Sequence, residues 1–211
     1  MLSQFFNTTD KLIRSALLTK LSKEYKSQKN TAIISEFSLI KESARIDIAV
    51  VNGIMHGYEL KSDKDNLLRL ENQREAYNLI FDKVTLVVGK NHLMSSIYSV
   101  PDWWGITIAK VDNKNKLTFY DIRESKSNPE QNARAMTNLL WKNEILEKLR
   151  ALGFSERLVN KSKDYVRDQL VCSLEQEQLK SYVRQALKKR FLNSGWRSGV
   201  MSMKYGDQFQ V

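Results

Sequence analysis

Two neighbouring apolar runs carry charges where a sheet core would exclude them. Ala44-Arg45-Ile46-Asp47-Ile48-Ala49-Val50-Val51 and Gly57-Tyr58-Glu59-Leu60-Lys61-Ser62 are rich in apolar and β-branched residues and bounded by glycine or polar residues, as strands are. Side chains alternate along a strand, so Glu59 and Lys61 share one face and Tyr58 and Leu60 the other. In the first run Arg45 and Asp47 share a face, opposite Ile46, Ile48 and Val50. Charge inside an apolar sheet is costly unless it is paired or holds a metal. An Asp, a Glu and a Lys converging on one sheet surface are the groups that metal-assisted phosphodiester hydrolysis requires. The competing account is a set of sheet salt bridges.

Register decides whether these groups meet. Asn52-Gly53 invites a two-residue hairpin turn, which would pair Val51 with Ile54 and set Asp47 opposite Tyr58. Asp47 and Glu59 would then point to opposite faces. A shared site therefore predicts an odd-length loop centred near Gly53, or a bulge between Ile54 and Tyr58.

Asp47 followed by Glu59-Leu60-Lys61 resembles the Asp…(Asp/Glu)-x-Lys signature of the PD-(D/E)xK nuclease superfamily. Glu36 stands where many members carry an upstream acid, and Gln73 and Tyr77 resemble the Gln-x-x-x-Tyr motif of the RecB-type branch. The whole chain is similar to a family of small bacterial proteins of about this length. That likeness runs through Gly57 to Leu70, Phe81 to Gly89 and Pro101 to Ile106. The proline that names the superfamily is absent, since Ile46 precedes Asp47. The resemblance implies a restriction-endonuclease-like mixed sheet flanked by helices. It implies Mg²⁺, with Mn²⁺ as a substitute, held by Asp47, Glu59 and the backbone carbonyl of Leu60. Glu36 would be an outer or second-metal carboxylate. Lys61 would lie beside the attacking water, where it orients hydroxide, stabilises transition-state charge or acts as a base. Gln73 and Tyr77, four residues apart on one helix face, would hold Lys61 or touch the substrate backbone. The plainer account of that pair is a surface glutamine beside a half-buried tyrosine.

At 211 residues the chain suits one α/β unit of about 130 residues with a helical extension. No run approaches the ~20 apolar residues of a membrane span, and the N-terminal residues lack a signal peptide's pattern. The single Cys172 has no internal disulfide partner, which fits the cytoplasm. A net charge of +10 favours a polyanionic partner. Nucleic acid, DNA by resemblance, is the expected one.

Periodicity predicts a helix from Asp10 to Lys26, strands near 31–38, 44–52 and 56–61, and a helix capped by Asp63 or Asp65 running to Phe81. Val84–Val88 reads as a central strand, Ile106–Val111 and Leu117–Tyr120 as two more, and Trp103 and Trp104 as core. The polar stretch Arg123–Pro129 divides a nuclease-like core, 1–125, from a helical C-terminal region, 129–211, with helices over 133–152 and 158–191 and breaks near Gly153 and around Cys172 to Glu175. Lys180, Arg184, Lys188, Lys189 and Arg190 form a basic cluster without acids, a candidate phosphate-binding surface together with Arg69. The apolar stripe of the C-terminal helices suits packing on the core, a homodimer or a protein partner. The expected function is a cytoplasmic bacterial nuclease. The alternatives are a non-catalytic nucleic-acid-binding module and a nuclease-fold subunit of a larger complex.

Overall fold

The computed structural model describes residues 6–40, 44–193 and 201–202. Its centre is a mixed sheet in the order β6-β5-β4-β3-β2-β1-β7. Strands β1 (Ala32–Ile40), β2 (Ala44–Val51) and β3 (Met55–Lys61) form an antiparallel meander. Helix α2 (Leu70–Ile80) carries the chain across to β4 (Lys83–Gly89), which lies parallel to β3. After α3 (Leu93–Ser99), β5 (Gly105–Val111) runs parallel to β4, and β6 (Leu117–Arg123) returns antiparallel. The two-residue β7 (Met201–Ser202) pairs with β1. Parallel neighbours force helical crossovers, which is why β4 is buried on both faces and reads as an unbroken apolar run.

Each face has its own core. Helix α1 (Asp10–Glu24) lays Ile13, Leu17 and Leu21 on Ile48, Val50, Tyr58, Leu60 and Val87. Its Thr9 cap accepts from the Leu12 N–H. The opposite face carries α2 and the C-terminal helices α4 (Ala133–Met136), α5 (Lys142–Ala151), α6 (Lys163–Ser173) and α7 (Gln176–Asn193), all in one apolar cluster with the sheet. Phe37 of β1 meets Phe191 of α7 edge-on at 6.2 Å. The polar stretch after β6 is pinned: Asn128 donates through Nδ2 to the carbonyls of Asn78 and Phe81. Trp104 is fully buried and donates Nε1 to Asn78 Oδ1, so it is core.

Three local details differ from the sequence reading. Helix α2 starts at Leu70, and neither aspartate caps it. Asp65 turns back to accept from Ser62, while Asp63 accepts from the Thr8 backbone and hydroxyl and from the Asn91 N–H, tying the chain start to the end of β4. Helix α3 was not foreseen. The expected helix over 133–152 breaks before Trp141, whose N–H donates to Glu144 Oε2 as α5 begins.

Candidate functional site

The β2–β3 loop is Asn52-Gly53-Ile54, because Val51 pairs with Met55. That odd length is the one a shared site needs, and it sets Asp47 in register with Glu59. The recorded ladder ends at Ile48 and Tyr58, and beyond that pair Asp47 Oδ2 accepts from the Leu60 N–H at 2.8 Å. The faces are less simple than alternation predicts. Ile34, Phe37 and Leu39 all belong to the α2-side core, and so do Ile46 and Ala49, while Ile48 belongs to the α1 side. Both strands therefore reverse their alternation where Glu36 stands opposite Asp47, between the pairs Ser35–Ile48 and Phe37–Ile46. Glu36 has φ 55°, a left-handed conformation uncommon outside glycine, and this turns the strand. Gly57 completes the crossing, since a Cβ there would collide with Ile46 Cδ1.

Glu59, 2% exposed, points from β3 to α2. Its Oε1 accepts from Lys61 Nζ at 2.8 Å and from Gln73 Nε2 at 2.7 Å. Its Oε2 lies 2.7 Å from the Tyr77 hydroxyl. Lys61 Nζ also donates to Gln73 Oε1 at 3.0 Å, so the Gln73 amide links both charges. Gln73 and Tyr77 thus reach Glu59 from successive turns of α2. Burial, then the charge of Asp47, raises Glu59 to about 7, although Lys61, Gln73 and Tyr77 surround it. Burial, then Glu59, also raises the Tyr77 phenol above its ordinary value.

Asp47 and Glu36 face a group that the sequence reading missed. Arg14 of α1 reaches Asp47 Oδ1 at 2.6 Å and Glu36 Oε1 at 2.5 Å, and Arg45 holds Glu36 Oε2 at 2.8 Å. Only the i,i+4 pair Asp10–Arg14 was visible locally. Although burial works against its charge, hydrogen bonds and charge from Asp10 and Asp47 hold the guanidinium above its usual range.

Among the described residues no group of three or more His, Cys, Asp or Glu side chains is placed to hold a metal ion. The donor chemistry nonetheless suits a hard divalent cation. Asp47, which accepts from the Leu60 N–H, and Glu59, the residue before it, are hard oxygen donors of the kind such a cation takes. Those two side chains would hold the ion, with the Leu60 carbonyl supplied by the resemblance.

The basic C-terminal residues are mostly spoken for. Arg190 is paired with Glu144 at 2.5 Å, Lys189 with Glu147 at 2.9 Å and Lys180 with Glu177 at 3.0 Å, and Arg184 lies 3.8 Å from Asp82. The expected acid-free cluster is thus not a free basic surface, because Glu144 and Glu147 of α5, Glu177 of α7 and Asp82 before β4 lie against it. Arg69 is exposed at the start of α2.

A concavity of about 320 Å³ lies on the α1 face among residues including Leu17, His56, Tyr58, Thr85 and Thr107. His56 Nε2 lies 2.9 Å from Thr85 Oγ1 and Nδ1 3.2 Å from the Tyr58 hydroxyl, and burial, then Lys83, lowers it to about 4. No described helix is long and apolar enough to cross a membrane.

Fold and site define a mixed α/β protein with a buried lysine–carboxylate cluster where the β2–β3 ladder parts. The chain belongs to the family of bacteriophage P4 protein cII, which it matches over residues 5–197. Protein cII of Enterobacteria phage P4 is 26% identical over 164 residues, covering 77% of this chain and 60% of that protein. The chain therefore spans about 60% of the length of that curated relative. No solved structure matches it.

Proposed function

We propose that this chain is a metal-dependent nuclease of the PD-(D/E)xK type, hydrolysing phosphodiester bonds of nucleic acid in the bacterial cytoplasm, with DNA as the expected substrate. The observation that carries this reading is the buried unit Lys61–Gln73–Glu59–Tyr77 set across the Leu60 peptide from Asp47. A salt bridge serving stability alone needs no second carboxylate bonded to the neighbouring peptide. Bound Mg²⁺ or Mn²⁺ would neutralise phosphate charge and lower the pKa of a coordinated water. Lys61, 8% exposed in its side chain and fixed by two acceptors, is preorganised to meet developing negative charge. Gln73 and Tyr77 orient Lys61 and Glu59.

One observation favours a second reading, the non-catalytic nucleic-acid-binding module. Asp47 already spends both oxygens, on Arg14 and on the Leu60 N–H. One assay separates the two. The protein is incubated with single-stranded, duplex and branched DNA, with Mg²⁺, Mn²⁺ or chelator. Cleavage that needs metal and falls ~10²–10³-fold in Lys61→Ala and Glu59→Gln supports the nuclease. Binding without cleavage under any metal supports the module.

A further inference from the structure

Arg14 is the most fully engaged cation around the acidic groups. Four of its N–H groups are hydrogen-bonded, and an ion pair adds a third carboxylate. Nε meets Asp10 Oδ2 at 3.1 Å, and Nη2 meets Asp10 Oδ1 at 3.0 Å and Asp47 Oδ1 at 2.6 Å. Nη1 meets Glu36 Oε1 at 2.5 Å and the Asp47 carbonyl at 3.1 Å. The side chain is only 20% exposed. One guanidinium therefore serves three carboxylates contributed by α1, β1 and β2.

We propose that Arg14 is the resident counter-ion of Asp47, which a divalent cation must displace, so that Arg14 sets the metal affinity of the site. The inference rests on Asp47 being a metal ligand. The reason is electrostatic. A guanidinium at 2.6 Å and a divalent cation cannot share Asp47 Oδ1 without strong repulsion in a half-buried setting. The other oxygen is fixed on the Leu60 peptide. Release does not free Arg14. Asp10 holds it through two hydrogen bonds and Glu36 through an ion pair, so it stays beside the site as a cation. Two cations in turn would balance Asp47: arginine when metal is absent, metal when it is present.

The test is Mn²⁺ binding, read by titration calorimetry on the full chain, with no nucleic acid present. Arg14→Gln should bind Mn²⁺ roughly tenfold tighter than wild type or better, and Asp47→Asn should bind weakly or not at all. Arg14→Lys keeps a charge but loses the fork that bridges three carboxylates, so it should show a smaller gain. That variant carries the test if the glutamine variant does not fold. Wild-type binding that both Arg14 variants leave unchanged or weaken overturns this inference and leaves the metal reading intact. No Mn²⁺ binding in any variant overturns the metal reading and this inference with it.

Discussion

The Tyr77 hydroxyl lies 2.7 Å from Glu59 Oε2 and 2.8 Å from the carbonyl of Arg45. One hydroxyl proton cannot serve both acceptors. The proton donated to Glu59 favours its charged form, and the Arg45 carbonyl competes for that proton. Burial and the charge of Asp47 raise Glu59 to about 7, so it is partly protonated near neutral pH when no metal is present. A proton and a metal ion would then compete for one carboxylate.

Tyr77→Phe keeps the buried ring and deletes that donor. It leaves the Arg45 carbonyl and Glu59 each short of a partner, which should destabilise the fold by roughly 1–3 kcal/mol in urea unfolding. It should also raise Glu59 further, since the phenol favours the charged carboxylate. Mn²⁺ affinity at neutral pH should fall in this variant and recover at higher pH. An affinity that stays flat across pH would detach Tyr77 from Glu59 ionisation.

Two buried groups titrate in opposite senses. Folded Glu59 holds a proton up to about 7, and the unfolded chain sheds it near 4.5, so this contribution is present at low pH and lost as pH rises to about 7. His56 behaves the other way. Unfolded it takes a proton below about 6.5, while folded it resists until about 4, so its contribution is present above 6.5 and lost as pH falls toward 4. Between about 4.5 and 6.5 the two slopes cancel. Glu59→Gln should therefore lose up to ~1.4 kcal/mol more than wild type for each pH unit below 6.5, and His56→Gln should lose stability toward neutral pH instead. Denaturant midpoints in chelator, at four pH values, check this. Parallel curves for all three proteins would refute it.

The strands were legible because β-branched runs bounded by glycine and polar residues leave little choice, and the loop length followed from requiring Asp47 and Glu59 to meet. What stayed hidden is long-range pairing. Arg14 stands 33 residues before Asp47 with nothing local to mark it. The partners of Lys189 and Arg190 lie 42 and 46 residues earlier, on α5, so a run of cations could not reveal that they are neutralised. Helix α3 buries only Ser96 fully and half-buries Leu93 and Ile97, too short a pattern to read. The face reversal at Glu36 depends on one backbone angle, which composition does not encode.

That angle gives its own test. Glycine in a strand ordinarily costs ~0.5–1 kcal/mol relative to alanine. At Glu36 both substitutions lose the ion pairs to Arg14 and Arg45, but only alanine keeps the strain of φ 55°. Left-handed backbone costs an L-residue ~1–2 kcal/mol. Glu36→Gly should therefore match or exceed Glu36→Ala in stability, reversing the usual order. Finding glycine worse by the ordinary margin would show that Glu36 relaxes to a regular strand in solution.

Arg190 separates a structural cation from a nucleic-acid contact. Its guanidinium bonds both oxygens of Glu144 and the Leu139 carbonyl, lies 4.0 Å over the Trp141 ring and is 8% exposed. Arg190→Ala would strand Glu144, 16% exposed, and should destabilise the fold by roughly 2–4 kcal/mol. It should not change the salt dependence of nucleic-acid binding, to which each true phosphate contact adds about −0.9 in log–log slope. Among the described residues Lys188 is the one member of the cluster without a carboxylate partner, so Lys188→Gln should show the reverse pattern: little change in stability and a shallower slope, if α7 meets phosphate at all. Arg190→Lys keeps the charge and serves if the alanine variant does not fold. It too should lose stability while leaving the slope alone. A flattened slope in either Arg190 variant, with stability preserved, would make this residue part of the binding surface and Glu144 its decoy.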